Sequence, residues 1–404
     1  MRKELYIKQP NLKLWIAILQ TTKNKICRQK PKVMAINIAS RWKELSGDKN
    51  WEGLLLAPLD PDFRRYVIHY GERTMAVGDL LNNDSQSSGY LHSLFPEDQF
   101  FSGAALQNNN IFKYTVTHFI DVANTADQSA WIGYVAVNTD DGKVGLGRRD
   151  ILVAWRGTAT DAEWLSNINF IQTSPSQLFG SDNNAKVHSG FLSLYTGTNS
   201  KTLMSARHQV LKAVRELVDK YKGEEISITV AGCPSCYSLG AALATLNAMD
   251  IVANGYNKPT GSSTLSAGCM VTAFAYASPR VGNNGLKQLF NSFQDRLHLL
   301  RITNANDVVP LLPFGIFIWP YTHLGQELKI DSNLSAHNLD LHLHAIALDQ
   351  TGFVLEVDHD VALVNKHLDG LKDEYNIPPR WWDKGNHSNM VQMDNGHWKF
   401  VQSA

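Results

Sequence analysis

A mostly parallel β-sheet with helices on both faces is the fold class that this 404-residue sequence predicts. From about residue 130 onward, short apolar runs of strand length alternate with longer stretches of helical periodicity. Two of those runs, ILVAWR (151–156) and ISITVAG (226–232), are apolar almost throughout, as a strand buried on both faces requires. A third signal is LGAALATLNAMDIVA (239–253), a helix of small residues able to lie close on a sheet.

The elements follow in order. Residues 36 to about 115 mix Trp, Leu, Ile and Met at near-helical spacing among charges and predict helices covering a core, with turns and loops over 82–110. ILVAWR is the first buried strand and stops at Gly157 and Thr158. Residues 203–221 place Leu203, Val210, Leu211, Val214, Leu217, Val218 and Tyr221 on one side of a helix that ends near Gly223. ISITVAG is the next strand, followed by the small-residue helix. VTAFAYAS (271–278), a helix near 284–293 and LHLLRIT (297–303) continue the alternation.

Lys plus Arg balance Asp plus Glu at 38 each, which removes the overall positive field of a general nucleic-acid binder. The chain holds only Cys27, Cys233, Cys236 and Cys269, too few and too unevenly spaced for a disulfide framework, so a reducing compartment is expected: the cytosol or an organelle stroma. No apolar run reaches the roughly 18 to 20 residues that span a bilayer, so contact with lipid is expected to be peripheral. Residues 1–35 carry nine Lys or Arg against a lone Glu4 and read as a basic, disordered extension; their apolar patch LWIAIL is shorter than a signal-peptide core.

Ser238 sits in Y-S-L-G between a predicted strand and a predicted helix. A sharp turn there projects a serine hydroxyl from the sheet and aims the following backbone N–H groups at a developing oxyanion. Read alone, a serine before a helix is an N-cap. A nucleophile also needs a base and an acid, which in such folds follow in the order serine, acid, histidine. Asp307 in RITNANDVVP lies just past a strand, and His323, His337, His342 and His344 come after it. No carboxylate or thiol stands at ligand spacing to complete a metal set with those histidines.

The combination of WRGT (155–158), HSGF (188–191), SLGAALATLNAMDI (238–251), ASPRVGN (277–283), ITNANDVVP (302–310), HLGQELKID (323–331) and PPRWWD (378–383) resembles the plant class 3 lipases, nearest the sn-1-specific phospholipases of the class II phospholipase A1 type. The resemblance runs from about residue 38 to 400. It implies an α/β-hydrolase fold in one domain over 36–404, with 36–130 as a helical cover, and a cytosolic or plastid acyl hydrolase. By position it implies Ser238 as nucleophile, Asp307 as acid and His337, at the head of HNLD, as base. Thr158 and the N–H of Leu239 are the implied oxyanion hole. The implied partner is a lipid substrate at a membrane or lipid-droplet surface, and no cofactor is implied.

The sequence departs from the family at GCPSCYSLG, where the relatives write G-H-S-L-G. Cys236 thereby stands two residues before the serine, where a glycine normally lets strand and helix backbones pass. One expectation is that residues 233–236 bulge at the sheet edge while the helix from Leu239 stays docked, leaving Ser238 in place. The alternative is a catalytically impaired hydrolase-fold protein that binds lipid or a partner. CPSC is also a C-x-x-C, but nothing else in the chain has a thioredoxin-like layout, and its cysteines read as small insert residues. In EWLSN (163–167), Asn167 replaces an acid of many relatives.

Overall fold

The computed structural model describes residues 37–401 apart from 105, 108–109, 126–127, 158–169, 182–183, 199, 202, 234–237, 263–267, 314–319, 332–336, 349–363, 367–376, 383–388 and 393–397. The basic extension 1–35, Thr158, the segment EWLSN and most of the CPSC insert therefore lie outside the described residues.

Strands β1 (Tyr114–Thr125), β2 (Gln128–Asn138), β3 (Arg149–Trp155), β4 (Ile226–Gly232), β5 (Met270–Tyr276), β6 (Leu297–Asn304) and β7 (Gln326–Ile330) lie in that order across one seven-stranded sheet. β1 to β3 pair antiparallel, and β3 to β7 pair parallel. The mostly parallel sheet of the α/β-hydrolase class is thus present. The ladder between β3 and β4 runs from Arg149 opposite Ile226 to Trp155 opposite Gly232 without a break.

Because spatial order equals chain order, right-handed crossovers all fall on one face of the sheet. The helices labelled here are α1 (Ile38–Leu45), α2 (Pro61–Asp79), α3 (Ser189–Thr196), α4 (Ala206–Lys220), α5 (Leu239–Ala253), α6 (Asn284–Asn291) and α7 (Leu339–Leu348). The crossover helices α4, α5 and α6 share a core with Ile151, Val153 and Trp155 of β3. The opposite face, with Leu152 and Ala154 of the same strand, is covered by α1, α2 and α7. Alternate side chains of β3 thereby feed two cores, which is why the strand is apolar at nearly every position.

Local signals start the helices. The Asp60 carboxylate accepts the Phe63 N–H at 3.0 Å with Pro61 at the first helical position of α2, and Ser205 accepts the His208 N–H at 3.2 Å to begin α4. Leu203, expected on the buried side of that helix, lies before its start and is 84% exposed.

The helical cover expected over 36–130 is shorter than that. Its helices end within Phe100–Gly103, and Tyr114–Thr125 is instead the edge strand β1 of the main sheet. β1 pairs with β2 through register shifts between Val116 and His118 and between Ile120 and Asp121, so its apolar side chains break the simple alternation of a strand.

Beneath α2 lies a buried polar cluster. The Asp150 carboxylate accepts from Tyr114 (2.5 Å), Tyr70 (3.0 Å), Ser227 (2.6 Å) and Thr229 (2.9 Å), with the Arg148 guanidinium at 3.3 Å. Arg148 also donates to Tyr66, Tyr70, Ser227 and the Leu146 carbonyl. These bonds tie α2 to β1, β3 and β4 through groups with no access to water.

Candidate active site

Strands β4, β5 and β6 end at one edge of the sheet, and the connection after each carries a residue of the site: Ser238, Ala277 and Asp307. The carboxyl edge of a parallel sheet is where such folds gather their polar groups.

Ser238 stands between Gly232, the last residue of β4, and Leu239, the first of α5. Ser238 has φ 58° and ψ 28°, the left-handed region that a residue with a Cβ enters at a cost of order 1–3 kcal/mol. It occupies the N-cap position but makes no capping hydrogen bond. Its hydroxyl oxygen lies 2.6 Å from the Ala277 carbonyl oxygen and 2.7 Å from His337 Nε2, with no exposure to solvent. A hydroxyl has one proton to give, so the carbonyl and the imidazole compete for it.

His337 precedes α7. Its Nδ1 is 2.6 Å from Asp307 Oδ2, and the other Asp307 oxygen accepts the Val309 N–H at 2.9 Å. The Asp307 side chain is 1% exposed and that of His337 16%. A carboxylate in that position fixes the imidazole tautomer with the proton on Nδ1, which leaves Nε2 as the acceptor facing the serine.

The three residues expected to form the nucleophile, base and acid are thus assembled in one chain of contacts. His323 is elsewhere. Its Nε2 accepts from Arg280 Nε at 3.3 Å, and burial with the neighbouring Arg301 and Arg280 charges lowers its pKa to about 4.

Of the residues expected to face the oxyanion, Leu239 is the first residue of α5 and is buried. Its N–H is among those with no acceptor inside the helix, at the end where partial positive charge accumulates. Thr158 is outside the described residues, but Trp155 and Arg156, which lead toward it, pack backbone to backbone on α5. A Cβ on Gly240 would stand 2.5 Å from the Trp155 carbonyl oxygen.

A close approach of strand and helix is present among the described residues. Cys236 lies outside the described residues, and the tight contact is made by Gly232, where a Cβ would stand 2.2 Å from the Gly240 carbonyl oxygen and 2.5 Å from Ala241 Cα. Just past the strand, the Cys233 N–H bonds to the Trp155 carbonyl at 3.0 Å.

Ala277 was not singled out by sequence reasoning. It has φ 49°, a second left-handed residue without the freedom of glycine, and that turn carries its carbonyl to the serine. An alanine gives no sign of this in the sequence. His342 was noted only as one of a histidine cluster, and it is fully buried beside Asp307.

Comparison with known proteins agrees with this architecture. A family model described as Lipase (class 3) matches residues 152–317. The rice protein "Phospholipase A1-II 6" (Oryza sativa subsp. japonica) is 43% identical over 400 residues, covering 90% of this chain and 95% of the relative. "Phospholipase A1-II 4" of the same organism is 41% identical over 90% of this chain and 95% of its own length. "Phospholipase A1-IIgamma" of Arabidopsis thaliana is 38% identical over 91% of this chain and 94% of its own length. The chain belongs to the class 3 lipase family, within its group of plant phospholipase A1-II proteins.

Proposed function

We propose that the protein is a serine acyl hydrolase that releases a fatty acid from the sn-1 position of glycerophospholipids or related glycerolipids. The observation that carries this reading is the continuous contact from Asp307 Oδ2 through His337 to the Ser238 oxygen, at 2.6 and 2.7 Å. In the reaction His337 Nε2 takes the Ser238 proton as the oxygen attacks the acyl carbonyl, and Asp307 stabilises the imidazolium that forms. The Leu239 N–H and Thr158 receive the negative charge on the carbonyl oxygen. His337 then protonates the leaving alkoxide of the lysolipid, and water activated by the same histidine releases the fatty acid. No metal or organic cofactor enters this scheme.

A lipid surface as partner is supported by exposed apolar side chains, some of them beside Asp307. Val308, next to Asp307, is 64% exposed and Leu311 47%. Phe170 and Ile171 are also exposed, and the Phe170 carbonyl is held by the Tyr321 hydroxyl at 3.1 Å. Exposed apolar side chains next to the acid of the site suit contact with a lipid surface. We place the protein in the cytosol, with the chloroplast as the alternative, on its few cysteines.

Purified protein incubated with phosphatidylcholine carrying different acyl chains at the two positions tests the reading. The sn-1 acid is expected in the free fatty acid fraction, with none released by Ser238→Ala. Release of the sn-2 acid first contradicts the positional claim, and release by the serine variant contradicts the mechanism.

A further inference from the structure

His342 lies one and a half turns along the chain from His337, on α7, which packs against α2. It is wholly buried, and neither ring nitrogen makes a well-formed hydrogen bond, although the Asn338 carbonyl lies near enough to favour a proton on the ring. Its Nε2 is 3.8 Å from Asp307 Oδ2, the same oxygen that receives His337 Nδ1. An imidazole buried without well-formed hydrogen bonds costs on the order of 1–3 kcal/mol, a penalty that an apolar side chain of similar shape would avoid. The charged groups that bear on this ring are Asp307 and His337, and burial lowers its pKa to about 4, so the ring is neutral at physiological pH.

We propose that His342 is a positioning residue for Asp307: its neutral ring, protonated on Nε2, presents that N–H to Oδ2 and holds the carboxylate in the orientation that receives His337 Nδ1–H. Val309 anchors Oδ1 from one side, and two imidazoles converge on Oδ2 from the other. Between buried groups, a donor facing a carboxylate oxygen at 3.8 Å acts with little screening even beyond ideal hydrogen-bond length. The N–H dipole points its positive end at Oδ2 and so opposes positive charge on His337. This inference rests on the hydrolase reading for its kinetic consequence, but not for the tautomer.

Three measurements test it together. In His342→Leu, kcat is expected to fall about tenfold with KM within twofold, because the acid is less well oriented while the substrate site is untouched. The acid limb of kcat/KM is expected to move to higher pH, and Tm to stay level or rise because a buried polar group without well-formed hydrogen bonds is gone. His342→Gln, whose amide restores a donor, is expected to recover most of kcat and the original acid limb. In ¹⁵N-histidine spectra of the wild-type protein, the resonances lost in His342→Gln are expected to report a neutral, Nε2-protonated ring. Wild-type kcat and pH profile in His342→Leu overturn the proposal, and so does an Nδ1-protonated ring. If the leucine variant does not fold, the glutamine profile and the tautomer decide. A wild-type protein without esterase activity overturns the hydrolase reading instead, and the spectra still judge His342.

Discussion

Gly232 and Gly240 meet so closely that a single methyl group on Gly232 would stand 2.2 Å from the Gly240 carbonyl oxygen. This contact sets where β4 stops and where α5 starts, and so fixes the span that the CPSC insert must bridge. Strand and helix are each pinned by packing, which is why extra residues between them leave Ser238 within reach of His337.

Gly232→Ala is accordingly expected to be costly, because the obstacle is backbone and cannot rotate away. Overpacking of this kind costs on the order of 1–3 kcal/mol, occasionally more. Because the displaced helix carries Ser238, esterase activity is expected to fall by at least about a hundredfold. Urea denaturation and ester hydrolysis measured on the same preparation check both. A variant with unchanged midpoint and activity would mean that the contact does not hold the turn.

Asp150 is the hub of the buried cluster under α2, and its removal strands Arg148 with no counter-charge in a place that water does not reach. Asp150→Ala is expected to destabilise by roughly 3–5 kcal/mol, as breaking a buried pair on one side does. Replacing Arg148 and Asp150 together with apolar residues is expected to cost less than either single change. The denaturant midpoints of the two single variants and the double variant give the coupling directly.

Stability is expected to decline in mild acid. Burial lowers His188 and His342 from the ordinary 6.5 to about 4 each. In the window between those values the unfolded chain binds protons that the folded chain refuses, so stability is full above pH 6.5 and falls as the pH drops toward 4. The limit is on the order of 3 kcal/mol per group. Thermal unfolding followed from pH 7 to pH 4.5 checks this, and a flat Tm over that range would contradict the burial of neutral rings. Replacing His188 or His342 with an apolar residue is expected to flatten the curve.

Much of this organisation is legible in the sequence, for identifiable reasons. The parallel strands are buried on both faces, so ILVAWR and ISITVAG stand out as apolar runs, and ISITVAG coincides with β4. The edge strand β1 was hidden because Thr115, Thr117, His118 and Asp121 interrupt its apolar pattern where the register shifts. At the site, Ser238, Asp307 and His337 were found through the family resemblance, since separations of 69 and 30 residues between them carry no local signal. Counting back from the serine points to Cys236, which lies outside the described residues; among the described ones, strand and helix crowd each other at Gly232. Ala277 and His342 act through a backbone angle and a depth of burial, neither of which a residue name encodes.

Reaction of the protein with a serine-directed fluorophosphonate probe tests most directly whether the lengthened approach leaves Ser238 nucleophilic. The wild-type chain is expected to be labelled at Ser238, with labelling lost in Ser238→Ala and reduced by about 10⁴-fold in rate in Asp307→Asn, whose imidazole is held in the wrong tautomer. A wild-type chain that stays unlabelled while a variant lacking residues 233–236 reacts would contradict a working site in this protein.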